Sequence, residues 1–392
     1  MTTRLHARPM PDGTLPAGGG ADAGALSGAL DLDLPGALDL DLPGDDPTRR
    51  EVPGEVEPNA QLRLAEGAAG SLAVAIEVAR GSGGPVPLPG GGHTARRWEF
   101  LARLGAADLS VARVVEAHLD ALAILAEAGA DHAGSGAVDV SGGADTWGVF
   151  AAEGKGVSAH AARTADGWRL SGVKPWCSAA SALDRALVTA RTPSGSGLFA
   201  IDLHAEGVVV QRDTWFARGL VDVGSGPVEL HDVPAVPVGE PGWYVQRDGM
   251  AWGGMGVAAC WFGGAVGVAR QLWQAADERA PDDIALMHLG AVDATLDLTR
   301  TRLAVAAAQV DAGAASGLAG RIVAQRVRGA VARCVDEVLL RAGHGLGPGP
   351  LALDDDHARR VADLQLYVRQ HHAERDDVAT GRLLLEAGRS PW

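Results

Sequence analysis

Apolar residues recur every three or four positions in the first part of the chain that has a regular pattern. One such stretch covers residues 58–80, and a second covers 96–128. A Gly- and Pro-rich segment, 81–92, separates them, and the Gly-rich segment 131–145 follows the second. This spacing predicts helices, and the segments together predict an N-terminal helical domain over 55–145.

The apolar period changes to two between residues 146 and 240. Short alternating runs are separated there by turn residues, and that pattern predicts a central antiparallel β domain. The runs are 168–170, 186–190, 198–201, 208–211 and 227–230.

Helical spacing returns after Gly242 and persists almost to the end of the chain. Glycines at 313 and 317 and the Gly-rich stretch 343–349 mark two of the breaks. Long helices joined by short loops predict a C-terminal four-helix bundle over 241–392, and the whole order predicts an α+β fold. The four predicted helices are 247–277, 282–312, 317–343 and 355–386.

Residues 1–54 differ from the rest in being rich in Gly, Pro, Asp and Ala. They contain a perfect tandem octapeptide, Ala-Leu-Asp-Leu-Asp-Leu-Pro-Gly, at 29–36 and again at 37–44. Two copies are too few for a solenoid, and Pro and Gly end each unit. The composition predicts a disordered acidic tail, with strand pairing on binding to a partner as the alternative.

The composition excludes several classes of protein. The chain has 392 residues, a net charge of −15 and 47% apolar residues, which is enough to bury a large core. The acidic balance argues against nucleic acid or an anionic membrane as partner. Its three cysteines lack the spacing of a metal site or a disulfide framework. Without an apolar signal-peptide core or a membrane span, the expected location is cytoplasmic.

The segment 168–178 carries the most specific candidate chemistry. It reads as a half-buried strand followed by a turn, and it ends with Trp176 and, two residues later, Ser178. A planar heterocycle could pack against the indole while an edge atom of the ring bonds the hydroxyl. This end of the strand therefore predicts a site for a flat ring.

The same segment resembles the flavin-contact strand of acyl-CoA dehydrogenases. Four further places carry the resemblance in order over about 95–386: Asp108-Leu-Ser with Glu116-Ala-His118, Val228–Pro234, Gly254–Arg270, and Arg341–Gly347 followed by Arg359-Arg360. The similarity is to members of actinobacterial type. It implies a flavoprotein of fatty acid metabolism that binds FAD, oxidises an acyl-CoA to its α,β-unsaturated product and passes electrons to an electron-transfer acceptor.

The resemblance also assigns residues to the cofactor. Trp176 would lie on the flavin ring and Ser178 would bond its edge, while Arg279 would open the motif that binds the flavin pyrophosphate. The aromatic-glycine pair and the glutamine that follow this arginine in the family are not evident here. Gly345 and Gly347 would approach FAD held by a neighbouring subunit, which implies a homodimer or homotetramer. The alternative for these two glycines is a simple helix cap.

The chain departs from the family at the catalytic base. A carboxylate is expected there, yet the aligned positions fall on 369–371 and near Val257 or Ala258, none of which is acidic. His371 and His372 are the candidate catalytic residues instead, as general base or donor near neutral pH. Neighbours on a helix point about 100° apart, so only one of them can face a cavity. The alternative is a solvated helix end held by ion pairs.

The missing carboxylate leaves two other functions open. A related branch of the fold uses reduced flavin and oxygen to hydroxylate substrates, and it needs donors rather than a base. Ser178, His118 and His371 or His372 could supply them, although His118 also fits a core or interface histidine. The second alternative is a catalytically silent partner subunit.

Overall fold

The computed structural model describes residues 59–131, 145–388, 390 and 392. The predicted acidic tail over 1–54 and its octapeptides lie outside these residues. The described chain begins with four helices: α1 (Asn59–Glu66), α2 (Leu72–Ser82), α3 (Thr94–Ala107) and α4 (Leu109–Asp131). Each of the two helices predicted from the apolar period, 58–80 and 96–128, is thus two helices.

The second break occurs at Asp108, whose backbone is extended. Its carboxylate accepts hydrogen bonds from the backbone N–H groups of Ser110 and Val111 at 2.9 and 3.0 Å, and so caps α4. Its other oxygen accepts from the backbone N–H of Gly70 at 2.7 Å. One side chain therefore begins α4 and ties the α1–α2 turn to it.

Replacing Asp108 by alanine is expected to lower the free energy of unfolding by about 2 kcal/mol, since a cap and a buried bond to a backbone donor are lost together. Asp108→Asn keeps one carbonyl oxygen and should lose about half as much. Urea denaturation measures both changes. An alanine variant within about 0.5 kcal/mol of the parent would contradict this account of the break.

Seven strands follow and form one sheet in the order β1-β4-β2-β3-β7-β5, with β6 beside β7 and a further pairing of β4 with β5. The strands are β1 (Trp147–Phe150), β2 (Ala159–Thr164), β3 (Gly167–Lys174), β4 (Arg185–Thr192), β5 (Gly195–Asp202), β6 (Val208–Val210) and β7 (Val228–Val238). The sheet is mixed, because β1 runs parallel to β4 over four residue pairs. The prediction of a purely antiparallel sheet is therefore wrong.

The alternating pattern missed two strands, β1 and β2, because neither has a clear alternation of large apolar and polar residues. β1 is buried at Trp147, Gly148 and Phe150, so it does not alternate. In β2 the buried positions are Ala159 and Ala161, and alanine gives little strand signal. Because β1 was not predicted, its parallel pairing with β4 was not predicted either.

Helices make up the rest of the described chain. They are α5 (Trp243–Gln246), α6 (Asp248–Glu278), α7 (Asp283–Asp311), α8 (Gly317–Leu346), α9 (Gly349–Leu353), α10 (Asp355–Tyr367) and α11 (Glu374–Glu386). The three long helices α6 to α8 cover the first three predicted segments. The fourth segment is interrupted by a 3₁₀ turn at Val368–Gln370 and by Ala373, whose φ is +48°. The elements thus run helices, strands, helices, and the domain division at 145 and 240 stays a prediction.

Helix α6 lies in the core of the helical part. Its backbone touches that of α3 directly: a Cβ on Gly105 would overlap the carbonyl oxygen of Cys260, and one on Gly263 would overlap that of Ala102. By length and composition α6 could cross a membrane, with a mean hydropathy of 1.3, but 67% of its most apolar window is buried inside the protein. Such burial is typical of a core helix.

Candidate functional site

Trp176 stands just beyond the end of β3 in an unusual conformation. Its φ is +61°, in the left-handed region, and 57% of the residue is exposed. The edge of its ring meets Trp215, with the centroids 6.2 Å apart and the planes at 88°. A bulky residue at positive φ costs on the order of 1–3 kcal/mol. In this conformation the indole is largely exposed.

A pair of buried hydroxyls lies two residues further on. The Oγ atoms of Ser178 and Ser225 are 2.8 Å apart. The segment is fixed by its backbone, since the N–H of Cys177 donates to the carbonyl of Gly226 at 3.0 Å and that of Ala179 to Val223 at 2.8 Å. The serine pair uses one of its two hydroxyl hydrogens internally, so the other can donate to a ligand.

The strand leading to Trp176 is anchored by a buried lysine. Lys174 is 1% exposed, and its Nζ donates to Glu153 Oε1 at 3.0 Å and to Thr189 Oγ1 at 2.7 Å. These partners belong to the loop after β1 and to β4. The end of β3 is thereby fixed to the loop after β1 and to β4.

The loop that carries Ser225 is held by α10. The backbone N–H of Leu220 donates to Asp363 Oδ1 at 2.5 Å, and the indole N–H of Trp215 donates to the carbonyl of Leu220 at 3.1 Å. Burial raises the pKa of Asp363 to about 6, which the backbone hydrogen bond partly opposes. α10 therefore positions both the hydroxyl pair and the aromatic neighbour of Trp176.

The two candidate histidines occupy different environments in the turn between α10 and α11. The His371 side chain is buried, and its Nδ1 accepts from the backbone N–H of Ala373 at 3.2 Å, while its Nε2 lies 3.7 Å from Asp376 Oδ2. Burial lowers the pKa of His371, which favours the neutral ring. Because Nδ1 accepts, the hydrogen is on Nε2, and His371 is a donor there. The His372 side chain is 65% exposed.

A cleft of about 190 Å³ lies beside His371, between α8 and α11. Charged side chains of both signs line it. They are Arg333, Asp336, Arg369, Glu374 and Asp377. Two ion pairs cross it, Arg369 with Asp336 at 2.7 Å and Arg333 with Asp377 at 3.3 Å.

The other residues predicted to bind cofactor lie at the C-terminal ends of α6 and α8. Arg279 is the exposed cap of α6. Gly345 faces Leu272 of α6, and Gly347, at φ +67°, caps α8 through an N–H bond to the carbonyl of Gly343 at 3.1 Å. Gly347 thus has the geometry of a helix cap. Gly345 and Gly347 contact residues of α6 and α8, whereas Trp176 and Ser178 contact Trp215 and Ser225 in the segment between β6 and β7.

His118 joins α4 to β1. Its Nδ1 accepts from the backbone N–H of Trp147 at 3.2 Å, and burial lowers its pKa to about 4. A neutral ring that satisfies a buried backbone donor is a structural arrangement.

Sequence reasoning missed a buried charged cluster around Glu116. One oxygen of this carboxylate, Oε2, lies 3.2 Å from Arg113 Nη1 and 3.4 Å from the Tyr367 hydroxyl. Burial raises the pKa of Glu116 to about 7, and Arg113 opposes the shift. The signal was visible, because Arg113, Glu116 and Asp120 recur three and four residues apart in an apolar helix and so share a face. Their burial was not visible.

Comparison with known proteins identifies the fold. No family model and no curated protein sequence matches the chain. The solved structures of KijD3 with FMN and a dTDP-linked sugar match at 18% identity and a TM-score of 0.70, over 85% of this chain and 92% of that one. Dibenzothiophene monooxygenase TdsC from Paenibacillus sp. A11-2 matches at 17% and 0.67, over 85% and 98%.

Butyryl-CoA dehydrogenase from Megasphaera elsdenii matches at 16% identity and a TM-score of 0.67, over 84% of this chain and 98% of that one. These structures share the acyl-CoA dehydrogenase fold. The described chain therefore has that fold, as the sequence resemblance implied, and identities this low establish the fold alone.

Proposed function

We propose that this protein is a flavin-dependent oxidoreductase that acts on a small molecule. The observation that carries the proposal is Trp176, held at positive φ with its indole exposed beside the Ser178–Ser225 hydroxyl pair. Two proteins of the same fold, KijD3 and TdsC, have been solved with FMN. The sequence resemblance favours FAD, and both flavins enter the test below.

The residues present fit a flavin by their chemistry. An isoalloxazine ring is planar and largely apolar on its faces, which matches an exposed indole, and its edge carries nitrogen acceptors for a hydroxyl hydrogen. A bound flavin would supply a two-electron acceptor at this point. In that arrangement Trp176 would orient the ring and one hydroxyl of the Ser178–Ser225 pair would donate to its edge. Asp363 holds the Ser225 loop through Leu220.

For the reaction we propose α,β-dehydrogenation of an acyl thioester. This reaction needs a base within hydrogen-bond reach of the α-proton. His371 is a poor base here, because its Nδ1 already accepts from Ala373 and its pKa is lowered by burial. A base for this step would therefore have to come from a residue other than His371. The reduced protein would pass its electrons to an electron-transfer acceptor.

Oxygenation is the second candidate, and a specific observation favours it. The Nε2–H of His371 and the serine pair are donors, and oxygenation requires donors rather than a base for an α-proton. TdsC, which shares the fold, is a monooxygenase. Anaerobic mixing with a panel of acyl-CoA thioesters separates the two reactions: flavin bleaching without oxygen supports dehydrogenation, whereas bleaching by a reductase followed by hydroxylated product supports oxygenation.

The flavin itself is tested by titrating the purified full chain with FMN and with FAD and following flavin fluorescence. We expect one flavin to bind each chain, with about fivefold weaker affinity in Ser178→Ala, since one hydrogen bond contributes about 1 kcal/mol. Ser194→Ala, at an exposed hairpin serine, is the matched control and should bind normally. A chain that binds neither flavin would contradict the proposal and support the silent partner subunit. Light scattering of the same sample tests the expected homodimer or homotetramer.

A further inference from the structure

Three arginines from three helices come together where the end of α3 meets α6 and α10. The stem of Arg360 crosses α6 at Gly267, where a Cβ would lie 2.8 Å from the Cδ and Nε of the arginine. Its Nη2 donates to the carbonyl of Ala107, the last residue of α3, at 3.3 Å. Arg270 follows Gly267 by one turn of α6, so it lies on the face that Arg360 crosses. Arg103 precedes Ala107 by one turn of α3 in the same way.

Arg270 is the member of this group that the protein leaves unsatisfied. It is half-buried and forms no hydrogen bond or ion pair with the described residues, and its Nη2 is shielded from solvent. Its pKa is lowered to about 10, first by burial and then by the charges of Arg360 and Arg103. A partly buried cation with like charges beside it is costly unless a counter-charge is bound.

The carboxylates whose charges act on Arg360 are engaged with other groups. They are Asp108, Asp354 and Asp356. Asp108 and Asp354 accept from backbone N–H groups at the beginnings of α4 and α10, and Asp356 lies 2.6 Å from the guanidinium of Arg359. Arg360 forms no ion pair with the part of the chain that the structure describes, so it keeps donors for a further acceptor.

The other two arginines are also poorly compensated by carboxylates. Arg103 Nη1 lies 3.9 Å from Glu99 Oε1, which is longer than a hydrogen bond. Glu66, exposed at the last residue of α1, is the carboxylate whose charge acts on Arg270, and it forms no ion pair with that arginine. The group as a whole is therefore short of negative charge.

We propose that Arg103, Arg270 and Arg360 bind a phosphate group, either free or as part of a nucleotide. A guanidinium presents paired N–H donors that match the oxygens of a phosphate, and those oxygens can be shared among several arginines. A single phosphate would compensate the three cations together. The proposal goes beyond flavin binding and does not depend on it.

A purely structural role accounts for only part of the group. Carbonyl groups at the end of a helix attract cations, and Arg360 satisfies such a carbonyl at Ala107. That arrangement leaves Arg270 without an acceptor. A buried polar atom without a partner is uncommon in folded proteins and indicates a missing partner.

Equilibrium dialysis of the full chain against radiolabelled inorganic phosphate, at constant ionic strength, measures the binding directly. We expect one phosphate for each chain, bound about tenfold more weakly by Arg270→Gln because a charge-assisted pair is lost. Arg270→Lys keeps the charge without the planar fork and should have an intermediate affinity. Arg382→Gln, which makes the same change at an exposed position of α11, is the matched control and should bind within about twofold of the parent.

Thermal unfolding of the same proteins separates a binding role from a structural one. Without phosphate, Arg270→Gln should have a Tm at or above that of the parent, because the variant lacks a half-buried charge beside two like charges. Phosphate should raise the Tm of the parent and leave that of Arg270→Gln unchanged. A less stable variant that binds phosphate as the parent does would show that Arg270 is structural, and would overturn the proposal.

Dialysis against labelled ADP distinguishes the two sources of the phosphate. Binding of ADP about tenfold or more tighter than that of inorganic phosphate, and lost in Arg270→Gln, identifies a nucleotide site, whereas equal or weaker binding of ADP identifies a site for free phosphate. A parent chain that binds neither probe would overturn the proposal. If Arg270→Gln does not fold, Arg103→Gln should weaken the binding about threefold or more, and unchanged binding would overturn the proposal.

Discussion

Replacing Trp176 by glycine will lower the affinity for flavin 10- to 100-fold and leave the free energy of unfolding within about 1 kcal/mol of the parent. Stacking of a flat heterocycle on an aromatic side chain contributes about 1–3 kcal/mol, and about 1.4 kcal/mol corresponds to a factor of ten. The indole is more exposed than buried, so little packing is lost with it. Glycine also adopts φ +61° without strain, which offsets the greater entropy of its unfolded chain.

Flavin titration and urea denaturation of the same samples measure the two effects. Trp176→Phe keeps a flat ring and should bind flavin within about fivefold of the parent, because the stacking surface is reduced rather than removed. The opposite pattern, a loss of more than about 2 kcal/mol in stability with unchanged flavin affinity, would identify Trp176 as a core aromatic.

The candidate site residues that the sequence could bring together are those that lie close together along the chain. Trp176 and Ser178 are two residues apart after one strand, and the backbone N–H of Ser178 donates to the carbonyl of Trp176 at 3.1 Å. Ser225 completes the hydroxyl pair from 47 residues away, and only the packing of its loop brings it there. A serine between two glycines is a weak signal without that loop.

The broken helices show a similar limit. The apolar period continues through Asp108 and Ala373, because helices on either side of a break bury similar faces. Asp108 is a recognisable cap residue. Ala373 carries no sequence signal of a helix break, since alanine favours helices. Its positive φ occurs in the turn that buries His371.

The chemistry of His371 and Glu116 also required three-dimensional contacts. The sequence made His371 a candidate base, but the bond from Ala373 to its Nδ1 leaves it a donor. Glu116 looked like part of a helical motif, and its burial against α3, α6 and α10 raises its pKa to about 7. Burial decides the protonation of both side chains, and a single sequence shows burial poorly.

α10 connects the Ser225 loop with the buried charged cluster around Glu116. Asp363 holds the loop of Ser225 through Leu220, and Tyr367, one turn later, contacts Glu116. The turn with His371 follows directly. A shift of α10 would therefore move the Ser178–Ser225 hydroxyl pair and Glu116 together.

The stability of the protein relative to its Glu116→Gln variant will depend on pH, in a direction that the structure fixes. The pKa of Glu116 is about 7 when folded and near the ordinary 4.5 when unfolded. The folded state therefore binds the proton more tightly. This stabilisation is fully present below about pH 4.5 and is lost as the pH rises through 7, for a total of about 3 kcal/mol.

Between pH 6 and 8 the variant should gain about 1 kcal/mol relative to the parent, since glutamine takes up no proton. The variant and the parent have to be compared because two histidines also change the stability with pH. Burial lowers the pKa values of His118 and His371, so their contribution to stability rises with pH in both proteins, opposite to that of Glu116. Urea denaturation at several pH values measures the difference, and Ser194→Ala, which alters no titratable group, should differ from the parent by a constant. If the difference between Glu116→Gln and the parent is also constant with pH, Glu116 keeps one protonation state throughout, which would contradict the raised pKa.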